Sequence, residues 1–399
     1  MPTILQTILA VPALGLLILT GLFALEVAAA CLPGRRRNTA SGVASGAPAD
    51  LAVLVPAHDE AGGIAGAIEN LRAQAWSGVR ILVVADNCRD ETARIARGVG
   101  AEVIERFDSE RRGKGYALDF GLRHLATNPP AVVVVVDADC RLAQGALARL
   151  HEMAVSERRP VQGCYLMRSP PEARIGMRVA ELAFLVKNRV RPAGLQRMGL
   201  PCHLTGSGMA FPWALIRDAD LAHSSLVEDM RLGLDLALTG SGARFCEDAL
   251  ILSDFPMSER GAQTQRRRWE EGHLGMIALA ARHIARAVRA RRPASAMLAL
   301  DTMIPPLTLL ILVVGAFFVL VMLAQLAFGR VPLPLAMASG ALGLLVGSLF
   351  VAWVRFGRAV LPMRLALHVL PYAASKAGMY ARMALGSRSA GWIRTDRDR

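Results

Sequence analysis

The stretch Val132-Val-Val-Val-Val-Asp-Ala-Asp-Cys140 places five consecutive valines directly before two carboxylates. An uninterrupted β-branched run predicts a strand that is buried on both faces of a sheet. Asp137 and Asp139 are two residues apart, so both leave the end of this strand on the same side. Their oxygens suit Mg²⁺ or Mn²⁺, which makes the pair the best candidate metal site. Strand-end aspartates also commonly cap the next helix, so the pair alone does not decide its role.

Short β-branched runs alternate with helical stretches around this strand. The sequence predicts helices over 62–75, 91–98 and 116–126, between strands at 51–55, 80–85, 102–105 and 131–136. Such alternation predicts an α/β fold with a Rossmann-like, mostly parallel sheet that helices cover on both faces. Ligands of such sheets bind at the carboxyl ends of the strands.

The residues that follow these strands are polar and mostly acidic. Pro56 and Glu60 follow the first strand, Asp86 follows the second and Asp137 the fourth. Neither a G-x-G-x-x-G sequence nor a G-x-x-x-x-G-K-[ST] sequence is present, so the usual dinucleotide and P-loop sites are excluded. An acidic crevice can still hold a diphosphate when a divalent cation bridges the two.

Three long apolar runs exclude a purely soluble protein: residues 1–25, 302–329 and 331–354. The net charge is +13, but residues 38–259 carry 24 basic and 27 acidic side chains, so the positive surplus flanks the apolar runs. This placement is the one that the positive-inside rule and contact with anionic lipid would produce, and it argues against a nucleic-acid-binding protein. The six cysteines form no metal-type or paired pattern, which indicates reduced thiols.

The runs predict a membrane anchor and, late in the chain, a helical hairpin in a bacterial inner membrane. The long segment between them is predicted to lie on the cytoplasmic side. The Arg-rich segment 281–292 predicts a helix on the inner leaflet, and 359–385 an interfacial or re-entrant helix. The predicted organisation is a membrane anchor (1–30), a linker (31–49), a catalytic domain (50–280), an interfacial amphipathic segment (281–300), a transmembrane hairpin (301–355), and an interfacial or re-entrant helix with a basic tail (356–399).

A series of motifs resembles that of membrane-bound family 2 glycosyltransferases with a GT-A fold. The resemblance covers roughly residues 50–275, and the tail 391–395 is similar to that of exopolysaccharide-synthesising members. His58-Asp59 stands where an Asn often precedes the Glu, and Val227 replaces a common Thr. The motifs are Pro56-Ala-His-Asp-Glu60, Asp86-Asn-Cys-Arg-Asp-Glu-Thr92, Arg112-Gly-Lys-Gly-Tyr116, Asp137-Ala-Asp139, Val227-Glu-Asp229 and Gln265-Arg-Arg-Arg-Trp269.

The resemblance implies a role for each motif residue. Asp229 would be the catalytic base with Glu228 in support, and Asp137 and Asp139 would hold the metal. The acceptor would contact Trp269, Gly206 and Ser207. The donor would contact Pro56, Glu60, Asp86, Lys114, Asp137, Gln265 and Arg268.

Each motif also has a plainer interpretation. Glu228 and Asp229 could cap a helix, and Lys114 could be a solvated loop lysine. Residues 265–273 could begin a basic interfacial helix, and 205–209 could be an ordinary turn.

The combined expectation is an inverting glycosyltransferase that uses a nucleotide sugar, first of all a UDP-sugar, and a membrane-associated acceptor. A polyprenyl-linked saccharide in exopolysaccharide synthesis is the first choice of acceptor. A processive polysaccharide synthase and a ceramide or diacylglycerol glycosyltransferase are the alternatives. A nucleotide-sugar pyrophosphorylase and an inactive membrane scaffold are the rivals from other classes.

Overall fold

The computed structural model describes residues 2–34, 50–222, 227–256, 259–329 and 331–366, together with 369, 371, 374, 376–378 and 380. Most of the predicted linker and the tail motif at 391–395 lie outside the described residues. The strands are β1 (Leu51–Ala57), β2 (Arg80–Asp86), β3 (Glu102–Arg106), β4 (Val132–Val135), β5 (Arg141–Leu142), β6 (Val161–Arg168), β7 (Met209–Pro212) and β8 (Arg244–Asp254).

Helices alternate with these strands along much of the chain. Between α6 and α7 the chain forms a π-helical turn at Val186–Val190, so the three segments are continuous. The first helices are α1 (Pro2–Cys31), α2 (Ile64–Arg72), α3 (Thr92–Gly98), α4 (Lys114–Leu125), α5 (Ala146–Glu157), α6 (Ile175–Leu185), α7 (Arg191–Arg197), α8 (Trp213–Ile216) and α9 (Glu228–Leu238). After β8 follow α10 (Glu259–Arg289), α11 (Pro293–Thr302), α12 (Leu307–Phe328), α13 (Pro332–Ala352), a second π-helical turn (Trp353–Gly357) and α14 (Met363–Ala366).

The strands form one mixed sheet in the order β3-β2-β1-β4-β7-β6-β8-β5. The first four are parallel, β7 is antiparallel to both of its neighbours, and β6 and β8 are again parallel. Alternate residues of β1 enter the apolar cores on opposite faces, with Val53 in one and Leu54 in the other. The predicted α/β fold and its first four strands are confirmed, while the antiparallel β7 makes the sheet more mixed than expected.

Within the described residues, three helices are long and apolar enough to span a membrane: Ile4–Cys31, Leu307–Phe328 and Pro332–Gly357. Each exposes large aliphatic side chains, such as Ile8, Leu320 and Val346, which is the surface that lipid contact requires. The first of these helices, α1, packs against α13 and also against α7, which follows β6 of the mixed sheet.

The contact between α1 and α7 depends on Gly194. A Cβ atom at this position would lie 2.0 Å from the backbone oxygen of Glu26, so no larger residue fits without moving a helix. The first apolar run is therefore joined tightly to the soluble part of the molecule.

Two boundaries differ from the sequence expectation. The predicted inner-leaflet helix at 281–292 is mostly the last part of the 31-residue helix α10. The second apolar run, residues 302–329, does not form a helix from its first residue. Thr302 instead ends α11, and Pro306 is the residue before α12 begins at Leu307.

Candidate active site

A cavity of about 320 Å³ lies at the carboxyl end of β4. It extends from the two aspartates of the predicted metal site to the beginning of α12. Most of the predicted site residues line it: Lys114, Asp137, Asp139, Gly206, Glu228, Asp229, Gln265, Arg268 and Trp269. These residues come from segments as much as 155 positions apart in the sequence, and the fold brings them together.

The carboxylates after β4 form a cluster suited to a hard cation. Ligand atoms of Asp137, Asp139 and Cys140 lie within 4.8 Å of one another. The thiol of Cys140 is buried, and burial together with the charge of Asp139 raises its pKa well above the ordinary value, so it stays protonated. Two carboxylates without an imidazole or a thiolate are oxygen donors of the kind that Mg²⁺ and Mn²⁺ prefer. The donor set therefore fits the predicted metal.

Lys114, the first residue of α4, connects this cluster to the opposite wall. Its ammonium group donates hydrogen bonds to the Asp137 carboxylate and, at 2.7 Å, to the backbone oxygen of Gly206. Burial alone would lower the pKa of Lys114, but the charges of Asp137 and Glu228 raise it above its ordinary value. The lysine is thus a fixed cation at the site, rather than a solvated loop side chain.

Ser207 is placed differently from the sequence expectation. It is fully buried, and its hydroxyl oxygen accepts a 3.1 Å hydrogen bond from the backbone N–H of Asp137. A residue in this position orients Asp137 and has no surface on which an acceptor could rest. Gly206 does line the cavity, with a positive φ of 88° that favours glycine.

Glu228 and Asp229 begin α9 and face the same cavity. Burial, followed by the neighbouring Asp229 charge, raises the pKa of Glu228 to about 7. Burial also raises the pKa of Asp229, although the Lys114 cation opposes this shift. Asp229 accepts a 2.8 Å hydrogen bond from the backbone N–H of Met230. A carboxylate with a raised pKa is suited to accept a proton near neutral pH.

The long helix α10 closes the cavity from another side. Gln265 is buried, whereas Arg268 and Trp269 are half-buried along the cavity wall. The Trp269 ring lies 5.6 Å from that of Phe184, measured between centroids, so the two form an aromatic wall.

The predicted nucleoside-binding residues lie beside the cavity instead of in its lining. Pro56 in β1 pairs with Val84 in β2, and Asp86 is the last residue of β2. Pro56 and Asp86 therefore both lie near the carboxyl ends of their strands. Asp86 is buried, and its carboxylate forms a 2.6 Å ion pair with Arg106 at the end of β3. Glu60 is held by its backbone N–H, which donates to the Thr92 hydroxyl at 2.7 Å. A nucleoside at Asp86 would have to share that carboxylate with Arg106, a partner that the sequence did not indicate.

The far end of the cavity contains charged residues that sequence analysis missed. Arg191 forms a 2.8 Å ion pair with Glu26 of α1 and a second ion pair with Asp301 of α11. The Asp301 carboxylate also lies 2.7 Å from Nε2 of His203. Nearby His273 contacts the Thr302 backbone oxygen, and burial lowers its pKa to about 3, so it is neutral. The sequence offered one signal for this cluster: Glu26 and Asp301 each stand at the edge of an apolar run. Carboxylates in such positions require partners when they are buried.

A sheet of this kind, with a metal-type carboxylate pair after a central strand and a second pair at a helix start, defines a GT-A glycosyltransferase domain. The chain belongs to glycosyltransferase family 2, since the family model described as "Glycosyltransferase like family 2" matches residues 48–272, more than half of the chain.

Individual relatives match a smaller part of the chain than the family model does. Uncharacterised glycosyltransferases of Mycobacterium tuberculosis and Mycobacterium bovis are 33% identical over 121 residues, which make up 29% of this chain and 51% of theirs. The chain thus spans about half the length of these curated relatives.

Two solved structures are also similar. The mannosyltransferase PcManGT from Pyrobaculum calidifontis, in complex with GDP-Man and Mn²⁺, is 20% identical over 89% of this chain and 98% of its own, with a TM-score of 0.45. Glucosyl-3-phosphoglycerate synthase from Mycobacterium tuberculosis, in complex with Mn²⁺, UDP and phosphoglyceric acid, is 21% identical over 49% of this chain and 68% of its own, with a TM-score of 0.34.

Proposed function

We propose that this protein is a metal-dependent, inverting glycosyltransferase that moves a sugar from a nucleotide sugar to a membrane-associated acceptor. The observation that carries the proposal is the cavity that contains two carboxylate pairs and Lys114 and is also lined by Phe23 and Leu307 of two spanning-length helices. A donor bound at the carboxylates and an acceptor arriving from the membrane would meet in that space.

The donor side is assigned to the cluster after β4. Asp137 and Asp139 would hold Mg²⁺ or Mn²⁺, which when bound would neutralise charge on the leaving diphosphate. Lys114 and Arg268 are the protein cations that would donate hydrogen bonds to phosphate oxygens. Fixed cations of this kind stabilise charge that develops in the transition state.

The acceptor side is assigned to the start of α9. The acceptor hydroxyl oxygen forms a bond to the anomeric carbon while the bond from that carbon to the diphosphate breaks. Asp229 takes the hydroxyl proton, and the nucleoside diphosphate departs with the bonding electrons. The raised pKa of Asp229 favours proton acceptance, and Glu228 shares the charge of the pair.

Within this proposal a UDP-sugar is the first donor to test. A polyprenyl-linked saccharide of exopolysaccharide synthesis is the first acceptor, in a bacterial inner membrane with the catalytic domain in the cytoplasm. The outward aliphatic surfaces of α1, α12 and α13 support the membrane location.

The test is nucleoside diphosphate release by the detergent-solubilised full chain, supplied with a panel of UDP- and GDP-sugars and with Mn²⁺, Mg²⁺ or EDTA. We expect release from one donor that EDTA and Asp139→Ala abolish. Asp229→Asn should lower transfer about 10²- to 10⁴-fold while donor binding survives. Asp235→Asn is the matched control, because Asp235 lies on the same helix in an exposed ion pair with Arg231. Normal turnover in Asp139→Ala or Asp229→Asn would overturn the assignment.

A further inference from the structure

The cavity continues beyond the catalytic carboxylates into an inner chamber. We define this chamber by Lys187, Asn188, His203 and Thr205, all of which line the cavity. Its far wall consists of apolar residues from α1 and α12, including Phe23 and Leu307. The chamber therefore lies between the proposed catalytic base and two helices of membrane-spanning length.

Lys187 differs from Lys114 and Arg191, two other cations that line the cavity and are not exposed. Lys114 is paired with Asp137, and Arg191 is paired with Glu26 and Asp301. Lys187 lies in the π-helical turn between α6 and α7, and its side chain makes no hydrogen bond or ion pair with the described residues. Burial lowers its pKa, and the nearby Asp229 charge opposes that shift, so the ammonium lies on the same side as the proposed base. A half-buried cation without a fixed partner is suited to an anionic ligand.

Neighbouring polar atoms in the chamber are also without partners. Asn188 is 4% exposed, and its Oδ1 atom has no hydrogen-bond partner among the described residues. The same holds for Oγ1 of Thr205 and for Nδ1 of His203. Buried polar groups are nearly always hydrogen-bonded, so several of them around one space indicate a polar ligand. The Thr205 hydroxyl can donate a hydrogen bond to an anion, whereas Oδ1 of Asn188 is an acceptor and suits a hydroxyl group of the same ligand.

We propose that the inner chamber holds the phosphate group of an anionic lipid acceptor, with Lys187 as its counter-charge. The hydrocarbon chain of that lipid would leave the chamber between Phe23 and Leu307. This proposal rests on the proposed function and makes it more specific, because it names the acceptor class. An acceptor held in this way carries a phosphate beside the hydroxyl that Asp229 deprotonates. Lys187 then distinguishes anionic lipid acceptors from neutral ones such as diacylglycerol.

Lipid binding by the full-chain protein in detergent tests the proposal without any transfer reaction. The probes are dioleoylphosphatidylglycerol, which has hydroxyls and a phosphate, and dioleoylglycerol, which has a hydroxyl alone. Bound lipid is counted by native mass spectrometry. We expect the anionic lipid to bind, and Lys187→Met to weaken that binding at least about tenfold. Lys187→Arg should restore most of it, which also shows that the site still folds.

Arg189→Met is the matched control, because it removes the same charge from the same π-helical turn at a residue that is paired with Glu247 and 41% exposed. Its lipid binding should equal that of the unchanged protein. Glycerol 3-phosphate serves as a soluble competitor that separates a lipid headgroup from a free phosphate.

Equal anionic-lipid binding by Lys187→Met and Arg189→Met would overturn the inference, and so would equal binding of the two lipids. If glycerol 3-phosphate bound the chamber as tightly as the anionic lipid does, the proposal that the ligand is a lipid would be overturned. Donor-dependent release of nucleoside diphosphate is measured separately. Its absence would count against the proposed function, while the lipid result would still decide the role of Lys187.

Discussion

Replacing Arg191 with methionine should destabilise the whole protein, because Arg191 joins three parts of it. Its guanidinium group lies 2.8 Å from the Glu26 carboxylate of α1 and also contacts the Asp301 carboxylate of α11. A further 3.1 Å hydrogen bond runs to the Asp301 backbone oxygen. The arginine side chain is 10% exposed, and the two carboxylates are 0% and 1% exposed. Methionine fills a similar volume but leaves the buried Glu26 carboxylate without its cation and Asp301 with His203 as its remaining partner.

The magnitude follows from burial. Removing one partner of a buried ion pair costs about 3–5 kcal/mol. Arg189→Met removes a pair with Glu247 at 3.5 Å, in which the arginine is 41% exposed, and such a pair contributes about 0–1 kcal/mol. For a chain of this length we expect roughly 1–2 °C of melting temperature per kcal/mol, extrapolated from smaller domains.

The assay is thermal unfolding of the purified full-length variants in detergent, followed by intrinsic fluorescence. Arg191→Met should melt roughly 2–10 °C below Arg189→Met. Adding Glu26→Met and Asp301→Asn to Arg191→Met should recover part of the loss, because no buried charge is then left unpaired. If Arg191→Met and Arg189→Met melt within about 1 °C of each other, the ion pairs do not hold the helices to the catalytic domain.

Two further predictions concern the cavity itself. Because burial and Asp229 raise the pKa of Glu228 to about 7, the stability contributed by its neutral form is complete below the ordinary value of 4.5 and is lost as the pH rises through 7. Glu228→Gln should therefore flatten the fall in melting temperature between about pH 5 and pH 8 in EDTA, and an unchanged slope would contradict the shift. Gly206→Ala should cost about 1 kcal/mol and slow turnover, because φ is 88° and the residue's backbone oxygen holds Lys114. Gly98→Ala, whose added Cβ would meet nothing within 4 Å, should be neutral or stabilising, and equal behaviour of the two glycine variants would refute the strain argument.

The central strands and the outer part of the site could be predicted because their signals are local. Five valines mark β4, and the carboxylates that follow it leave the sheet at the edge where ligands bind. The same reasoning located Glu228 and Asp229 at a helix start, which the structure gives as α9. In each case a few neighbouring residues determine both the secondary structure and the direction of the functional side chains.

The inner part of the site could not be predicted in this way. Arg191 meets Glu26 and Asp301 across 165 and 110 residues of sequence, and no local pattern specifies such partners. The same is true of Arg106 beside Asp86, which changes what that aspartate is available to bind. Nothing in the residues around Lys187 marks it in the sequence as a side chain that lines the cavity. Ser207 is the reverse case, a residue that was predicted to contact the acceptor. It is instead buried, with its hydroxyl bonded to the backbone of Asp137.

The close contact between Gly194 and Glu26 has a consequence for the timing of biosynthesis. Arg191, which secures the same contact, is made 165 residues after Glu26. At about 5–20 residues per second, translation needs roughly ten to thirty seconds to cover that interval. Throughout this time α1 exists without the surface that it will cover, and the wall that Phe23 contributes to the cavity is missing. Because α1 is translated well before α7, its final contacts and the completed cavity can form only after α7 has been made.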